Sequence, residues 1–478
     1  MTDPNPFPLR FAVAIAVFLF YLTVFLLFVS VGFDRGELIG VRFSLIGLIL
    51  FLSFCVGPKH FFKGLGRSPT LMVFGLFLIF LLLRSFLKYG QAEMPLLGAG
   101  AQIPDTGSVS GMTQRWFFFF ALVWSSSVFL RTRERTKGFI RFVGAVVSGI
   151  ALTALVPFLL NGQYGYIHQG KFVFFPPFLY FHPDVAKYFL GTFAHFNYIG
   201  DLLAMGFFPA LGLVTYAIVT HLKNIEYPGN RRRFPWFEAT LILIAAVVCA
   251  VTIFLFFSRG CIVSFLVSFL LYWLIFLWKI HQRRVTVFVL IVSTLLALSV
   301  FFVGNFQKAW QEVKTLQSEV ESPSSFRNNL EGGKAALAMY HDHRVWGIGT
   351  GNYRARVMEY SETIRTEPGL TLARFVVLCH YLQVLAEEGA GAWIYFAMLG
   401  VFLFEVIRGF IRAKSNFQFI AGLSVFIPVV MTLGHATINF VMQQVSMSLL
   451  VYLFMGATLG ILHADFLYHE RRTDHVKR

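Results

Sequence analysis

The chain has 478 residues, of which 57% are hydrophobic and only 13% are charged, and its mean hydropathy is +0.68. A soluble protein would have to bury almost all of that apolar surface, whereas many separate apolar runs of membrane-spanning length indicate a polytopic membrane protein. The formal net charge is +16, but the basic residues form short clusters beside apolar runs, which argues against nucleic acid as a partner and is typical of cytoplasmic loops.

Cysteine placement and the N-terminus narrow the class further. The four cysteines lie in or beside apolar segments without paired spacing, so the sequence predicts neither a disulfide framework nor a zinc site; they are Cys55, Cys249, Cys261 and Cys379. The first residues, MTDPNPFPLR, lead directly into a long apolar run without a small-residue cleavage site. We therefore expect a retained first span rather than a cleaved signal peptide.

Apolar windows long enough to cross a bilayer predict an all-α polytopic membrane protein with about twelve transmembrane helices. The windows are 11–31, 40–57, 70–87, 116–130, 139–160, 198–221, 237–257, 261–278, 286–303, 389–407, 417–435 and 446–463. Lys- and Arg-rich segments follow every even-numbered span, at 58–67, 131–137, 230–233, 279–284, 408–414 and 469–478. This alternation predicts that both termini are cytoplasmic and that the odd-to-even connections face outward.

Three outward connections are longer than turns. Residues 88–115 are rich in Gly and Ser and are predicted to be a loop, whereas residues 161–197 are aromatic and contain two prolines, which is typical of an interfacial segment. Residues 304–388 carry mixed charge, and their patterning predicts two helices, over 307–321 and 326–342. A structureless loop of that length would be improbable, so we expect a helical outer domain.

These features divide the chain into three parts. Residues 1–303 hold spans one to nine with the outer loop 161–197, residues 304–388 form the large helical outer domain before the tenth span, and residues 389–478 hold the last three spans and a basic cytoplasmic tail. No internal repeat is visible, so the pattern does not favour an inverted-repeat transporter.

The stretch FFSRGCIV (256–263) places an arginine between two long apolar segments. Ser258, Arg259 and Gly260 are expected to form the tight outer turn between spans seven and eight. A lone arginine at a helix end is often a residue that snorkels to the headgroups. Here it shares the outer side with Arg327, which opens the second helix of the outer domain, and with a histidine in the apolar stretch before span ten.

That histidine is His380, and Glu387 lies seven residues later on the same predicted helical face. A base flanked by cations near a lipid interface suits transfer from a lipid pyrophosphate. Arginines bind the phosphates through charge-assisted hydrogen bonds, and a neutral imidazole removes the proton from the incoming hydroxyl. An ordinary packing histidine is the alternative for His380, and a solvated helix start is the alternative for Arg327.

Two other patterns are weaker. His341 and His343 flank Asp342, but they lie on different helix faces without a third ligand, so no metal site is expected. The run GIGTGNY (347–353) is similar to a phosphate-binding glycine loop, but no strand precedes it, and a turn is predicted instead.

Four stretches in this order resemble the O-antigen ligase superfamily, the bacterial polysaccharide ligases and polymerases that share one membrane domain. They are GTFAHFNYIGDLLAM (191–205), FSRG (257–260), FRNNLEGGKAALAMYHDHRVWGIGTGNY (326–353) and HYLQVLAEEGAG (380–391). The resemblance implies a GT-C-like membrane glycosyltransferase of the Gram-negative inner membrane with a periplasmic active site. Its implied reaction moves a glycan from undecaprenyl pyrophosphate to a sugar hydroxyl with inversion, and it needs no metal and no nucleotide cofactor.

Matched to the motifs of that family, the expected catalytic residues are Arg259, Arg327 and His380. The family pattern places His-Asn where this chain has Leu378 and Cys379, so His380 is displaced by two residues, or about 200° of helix rotation. An alternative base is therefore His195, beside Asn197 in the stretch GTFAHFN. We expect His195, Asn197 and Glu387 to bind substrate.

The function that the resemblance most closely implies is ligation of O-antigen to lipid A-core. A polymerase that extends the glycan on its lipid carrier and a protein O-oligosaccharyltransferase are alternatives in the same family, and a lipid-glycan transporter is an alternative of another class. A transporter predicts charges deep within spans, whereas Asp201 and Glu405 lie near span ends. The expected partners are the lipid-linked donor, lipid A-core or a growing glycan as acceptor, and the bilayer.

Overall fold

A computed structural model describes residues 7–29, 68–87, 109–161, 166–168, 171–173, 196–226, 236–255, 259–280, 324–366, 377, 379–439, 441–443 and 445–464. Its helices are α1 Phe7–Val29, α2 Pro69–Phe86, α3 Val109–Phe129, α4 Arg133–Asn161, α5 Phe196–Glu226, α6 Trp236–Leu255, α7 Arg259–Lys279, α8 Ser324–Asp342, α9 Tyr353–Tyr360, α10 Glu362–Thr366, α11 His380–Glu388, α12 Gly391–Arg412, α13 Asn416–His435 and α14 Val445–Leu462. A single turn of 3-10 helix, Val441–Gln443, precedes α14, and two strands, β1 Tyr166–His168 and β2 Lys171–Val173, lie between α4 and α5.

Ten of the twelve predicted spans coincide with helices, and the other two, 40–57 and 286–303, lie outside the described residues. Within the described ranges, six helices are long and apolar enough to cross a membrane, namely α2, α12, α13 and most of α5, α6 and α7. Shorter apolar helices at 13–28, 115–129 and 447–462 accompany them. The structure is therefore that of a helical polytopic membrane protein, while the count of twelve and the GT-C-like arrangement stay predictions.

Two local predictions are corrected. Residues 109–115, which were expected to belong to a loop, form the first two turns of α3. The interfacial segment 161–197 contains an antiparallel pair of strands in the register Tyr166↔Val173, so the fold is not strictly all-α. Aromatic and β-branched residues in both triplets favour the extended backbone. The prediction for this segment rested on its aromatic residues and prolines and did not include strand propensity.

The predicted second helix of the outer domain is confirmed as α8, and the predicted helix 307–321 lies outside the described residues. Helices α8 to α11 enclose a small apolar cluster of their own around Ala336, Met339 and Val357. The three-part division of the chain stays a proposal.

Two helices form the centre of the bundle. Of the membrane-spanning windows, those in α5 and α13 are 78% and 83% buried, whereas those in α2, α6, α7 and α12 are between 28% and 39% buried. Central helices have protein on all sides, and the others turn apolar residues outward, as lipid requires. A Cβ atom on Gly212 of α5 would lie only 2.4 Å from the Cβ atom of Ser424 of α13, so the central pair is in close contact.

A GxxxG spacing seats α14 against α3. Small residues let two helix backbones approach closely, which is a main source of helix association in lipid. A Cβ atom on Gly456 would lie 2.2 Å from the carbonyl oxygen of Val123, and one on Gly460 would lie 2.7 Å from that of Ser127. Neither position has room for a side chain unless the helices separate.

Contacts between helix ends define two opposite faces of the bundle. At one face, Glu405 of α12 accepts hydrogen bonds from the hydroxyl and the backbone N–H of Thr70 and so caps α2, and Lys279 at the end of α7 reaches the carbonyl of Ile411. At the other face, which we call the site face, Arg84 at the end of α2 contacts α11, and Gly260 at the start of α7 contacts His435 at the end of α13.

We predict that Gly456→Ala destabilises the protein by about 1–3 kcal/mol, because the new methyl group overpacks the contact with α3. The measurement is thermal unfolding of the purified protein in detergent. Gly400→Ala is the matched control, since nothing lies within 4 Å of a Cβ atom at that position of α12. Equal unfolding temperatures for the two variants would contradict the GxxxG contact.

Candidate functional site

A cavity of about 100 Å³ lies at the site face between α3, α11 and the start of α14. The side chains that line it include Arg115, Trp116, His380, Gln383, Glu387 and Gln443. Two of the predicted site residues, His380 and Glu387, therefore meet in one cavity, as their seven-residue spacing on one helix predicted.

His380 is the first residue of α11. Cys379 before it has an extended backbone, so the helix begins at His380 and the two-residue displacement does not rotate the ring away from the cavity. The His380 N–H donates to the carbonyl of Ala436 at 2.9 Å, and its Nε2 atom lies 3.3 Å from the hydroxyl oxygen of Tyr395. Burial lowers the pKa of His380 to about 4, so the ring is neutral at pH 7.

Glu387 and Glu388 are adjacent buried carboxylates in different surroundings. Burial raises the pKa of Glu387 to about 7, and the neighbouring Glu388 raises it too, while hydrogen bonds from Gly351, Gln383 and Tyr353 oppose the shift. The Gln383 amide donates to Glu387 Oε1 at 2.9 Å. Glu388 instead lies 2.6 Å from a guanidinium nitrogen, that of Arg84.

Arg84 was not found by sequence reasoning. Its side chain is buried at the end of α2, where it pairs with Glu388 and donates to the carbonyls of Glu387 at 2.9 Å and Trp346 at 3.2 Å. It also donates to the Thr350 hydroxyl, which in turn donates to Glu388 at 2.7 Å. A lone arginine in the last turn of an apolar span was the available signal.

The glycine run at 347–353 is a turn, as predicted, and it wraps around the end of α11. The N–H groups of Ile348 and Gly349 donate to the carbonyls of Ala386 and Glu387, each at 3.0 Å. Gly347 has a φ of 66°, and a Cβ atom there would lie 2.2 Å from the Glu387 carbonyl oxygen. Glycine is therefore required for this close approach of two backbone segments.

Arg259 lies at the start of a helix rather than in a turn. The prediction of a turn over 258–260 is corrected for Arg259 and Gly260, which are the first two residues of α7, and Ser258 is outside the described residues. A Cβ atom on Gly260 would lie 2.9 Å from His435 Nε2. His435 Nδ1 is in turn 2.8 Å from Asp201 Oδ2 on α5, and both side chains are fully buried.

The end of α13 contacts both the start of α7, where Arg259 lies, and the start of α11, where His380 lies. Gly260 packs on His435, and the next residue, Ala436, accepts the hydrogen bond from the His380 N–H. The Tyr381 hydroxyl donates to the carbonyl of Leu433 at 2.7 Å. Sequence reasoning noted Asp201 only as a charge near a span end and missed His435, because their pairing joins positions 234 residues apart.

The other predicted site residues that the structure describes are not among those that line the cavity. Arg327 lies in the first turn of α8 with an exposed side chain and does not line the cavity. Asn197 lies in the first turn of α5 at the site face, and His195 is outside the described residues. In the described parts of the chain, no group of three or more His, Cys, Asp and Glu side chains is placed to hold a metal ion.

Residues 244–370 match the family model described as O-antigen ligase. The matched segment includes Arg259 and Arg327 and ends before His380. It confirms the resemblance drawn from the motifs. No curated protein matches this chain.

We predict that Arg84→Ala lowers the free energy of unfolding by about 3–5 kcal/mol, because it leaves the carboxylate of Glu388 buried without its partner. The double variant Arg84→Ala with Glu388→Gln removes both charges and should lose less than Arg84→Ala alone. Thermal unfolding of the two single variants and the double variant gives the coupling energy. Additive losses would show that the two side chains do not interact.

Acid should destabilise the folded chain through His380. Its pKa is about 4 when folded against an ordinary value of 6.5, so its contribution to stability is full above pH 6.5 and is lost as the pH falls towards 4. The loss is at most about 3 kcal/mol for a shift of this size. Glu387 changes in the opposite direction, so the measurement is the difference in unfolding temperature between the wild type and His380→Gln at each pH. A pH-independent difference would contradict the lowered pKa.

Proposed function

We propose that this chain, a member of the O-antigen ligase superfamily, is a membrane glycosyltransferase that moves a glycan from undecaprenyl pyrophosphate to a sugar hydroxyl of lipid A-core. The observation that carries the proposal is the arrangement at the end of α13. This end binds the start of α11, whose residues His380 and Glu387 line a cavity, and it also contacts the start of α7, where Arg259 lies. Glycan transfer from a lipid pyrophosphate needs a cation for the leaving group and a proton acceptor for the incoming hydroxyl.

Arg259 is proposed to bind the pyrophosphate. It is the first residue of α7, and the partial positive charge of a helix N-terminus favours a phosphate group, as does the positive charge of an arginine. Arg327 opens α8 and is proposed as the second cation. His380 is proposed to contact the incoming hydroxyl, with Asn197 and His195 as further substrate contacts, and its role as the base stays a prediction.

The orientation proposed from the basic connections fits the two faces of the bundle. Lys279 and the end of α12 at Arg412 belong to the face opposite the site. If basic residues mark the cytoplasm, the site face is periplasmic, both termini are cytoplasmic, and the enzyme lies in the inner membrane. A donor that carries its glycan on the periplasmic leaflet would then reach Arg259 from the bilayer.

The test compares strains that lack the gene and carry either the wild type or Arg259→Ala. We expect long O-antigen to be absent from lipid A-core and to accumulate on the undecaprenyl carrier in the deletion strain and with Arg259→Ala, since loss of one charge-stabilising donor lowers kcat by about 100–1000-fold. The measurements are a lipopolysaccharide gel, an analysis of the lipid carrier, and an immunoblot that confirms equal protein levels.

Arg365→Ala is the matched control. It removes an exposed arginine that pairs with Glu362 on α10, and we expect a wild-type gel. A core that carries one repeat unit with no long polymer would identify the protein as the polymerase of the same family. Normal glycan in the deletion strain would contradict both activities.

A further inference from the structure

Two of the residues that line the cavity beside α11, Gln383 and Gln443, have buried amide oxygens without donors. Among the described residues, Oε1 of Gln383 and Oε1 of Gln443 are buried and have no hydrogen-bond partner. Their orientations are fixed, because the Gln383 amide donates to the Glu387 carboxylate at 2.9 Å and the Gln443 amide donates to the carbonyl of Val377 at 2.6 Å. Both side chains line the cavity with Glu387.

Buried acceptors that lack a donor carry a desolvation cost. A ligand that brings several hydroxyl groups removes that cost, and a sugar is such a ligand. Trp116 and Phe119 add aromatic surface to the same cavity, which suits the apolar face of a sugar ring. The glutamine amides and the aromatic side chains of the cavity therefore suit a carbohydrate subsite.

The two carboxylates of the cavity differ in what holds them. Glu388 is bound by Arg84 and by the Thr350 hydroxyl, so its charge is neutralised within the structure. The donors that the structure describes for Glu387 are neutral groups, namely the Gln383 amide and the backbone N–H groups of Gly351 and Tyr353. Arg84 contacts the backbone carbonyl of Glu387 and not its carboxylate.

We propose that this cavity binds the reacting hydroxyl of the acceptor sugar, that Glu387 is the group that accepts its proton, and that Gln383 and Gln443 hold the neighbouring hydroxyls. This inference rests on the proposed function. His380 then serves as a positioning residue, whose neutral ring contacts Tyr395 at one side of the cavity.

The acceptor oxygen forms a bond to the anomeric carbon of the donor glycan while its proton passes to the Glu387 carboxylate. The bond between that carbon and the pyrophosphate oxygen breaks, and its electron pair leaves with the lipid pyrophosphate. Glu387 afterwards releases the proton to water.

The charged and titratable groups around Glu387 come from five elements and one turn. They are Glu388 and His380 on α11, Arg84 from α2, Arg115 from α3, Tyr353 from α9 and Tyr452 from α14, while the turn that holds Gly351 contributes only a backbone N–H group. Burial raises the pKa of Glu387 to about 7. The carboxylate form that accepts a proton is therefore lost as the pH falls below 7, and kcat/KM should fall with it.

The experiment uses the full chain in detergent or lipid nanodiscs with an undecaprenyl-pyrophosphate-linked glycan as donor and lipid A-core as acceptor. Glu387→Gln should lower kcat by about 100-fold or more and abolish the acidic limb of the pH profile near pH 7. Gln443→Leu should raise the KM for the acceptor severalfold and leave the KM for the donor unchanged. Glu359→Gln, which changes an exposed carboxylate that pairs with Arg356 on α9, is the matched control and should behave as the wild type.

A stability measurement separates this role from a structural one. The folded pKa of Glu387 lies above its ordinary value, so ionisation of this group disfavours the folded state as the pH rises through 7. Glu387→Gln should therefore unfold at the wild-type temperature or higher at alkaline pH. A variant that lost both activity and stability would count against the proposal.

Failure of the inference and failure of the proposed function give different results. A wild-type enzyme that transfers glycan, with Glu387→Gln equally active, overturns the role of Glu387 and leaves the function standing. An acidic limb near pH 4 that disappears in His380→Gln assigns the proton to His380 instead. If Glu387→Gln does not fold, a wild-type profile without a limb near pH 7 overturns the inference, and no transfer by the wild type overturns the function itself.

Discussion

The buried ion pair between Arg84 and Glu388 fixes the relation between the membrane bundle and the helices that lie on it. The guanidinium of Arg84, at the end of α2, contacts α11 and the glycine turn. Its partners are one carboxylate, one hydroxyl and two carbonyl oxygens. Removing two charges from water is expensive, so such a pair gives little net stability compared with apolar packing. What it provides is one defined position for α11, and with it the positions of His380 and Glu387.

The same pair explains how two neighbouring carboxylates come to have different chemistry. Arg84 binds the Glu388 carboxylate, while Glu387 lies beside neutral donors in a cavity where burial raises its pKa. Two carboxyl groups on one short helix thus have different partners, one an arginine and the other neutral hydrogen-bond donors.

The sequence was a good guide to the elements and a poorer guide to what lies between them. Long apolar windows located α2, α12 and α13 to within a few residues at most ends, because a single physical requirement, the thickness of the hydrocarbon, determines their length and composition. The seven-residue spacing placed His380 and Glu387 in one cavity, since both lie on one helix. The partnerships of Arg84 with Glu388 and of Asp201 with His435 join positions that are hundreds of residues apart, and no local pattern encodes them. The rotation expected from the two-residue displacement of His380 applies only within a helix, and the structure shows that the helix begins at that residue.

The contact between Gly260 and His435 has a consequence for how the SRG stretch works. Only a hydrogen atom fits between the backbone of Gly260 and the imidazole, which Asp201 holds from its other side. The position of the Arg259 backbone at the start of α7 is therefore set by the absence of a side chain at position 260. A methyl group at position 260 would displace the start of α7 from the bundle, and the backbone of Arg259 would be displaced with it. The placement of Arg259 therefore depends on glycine at position 260.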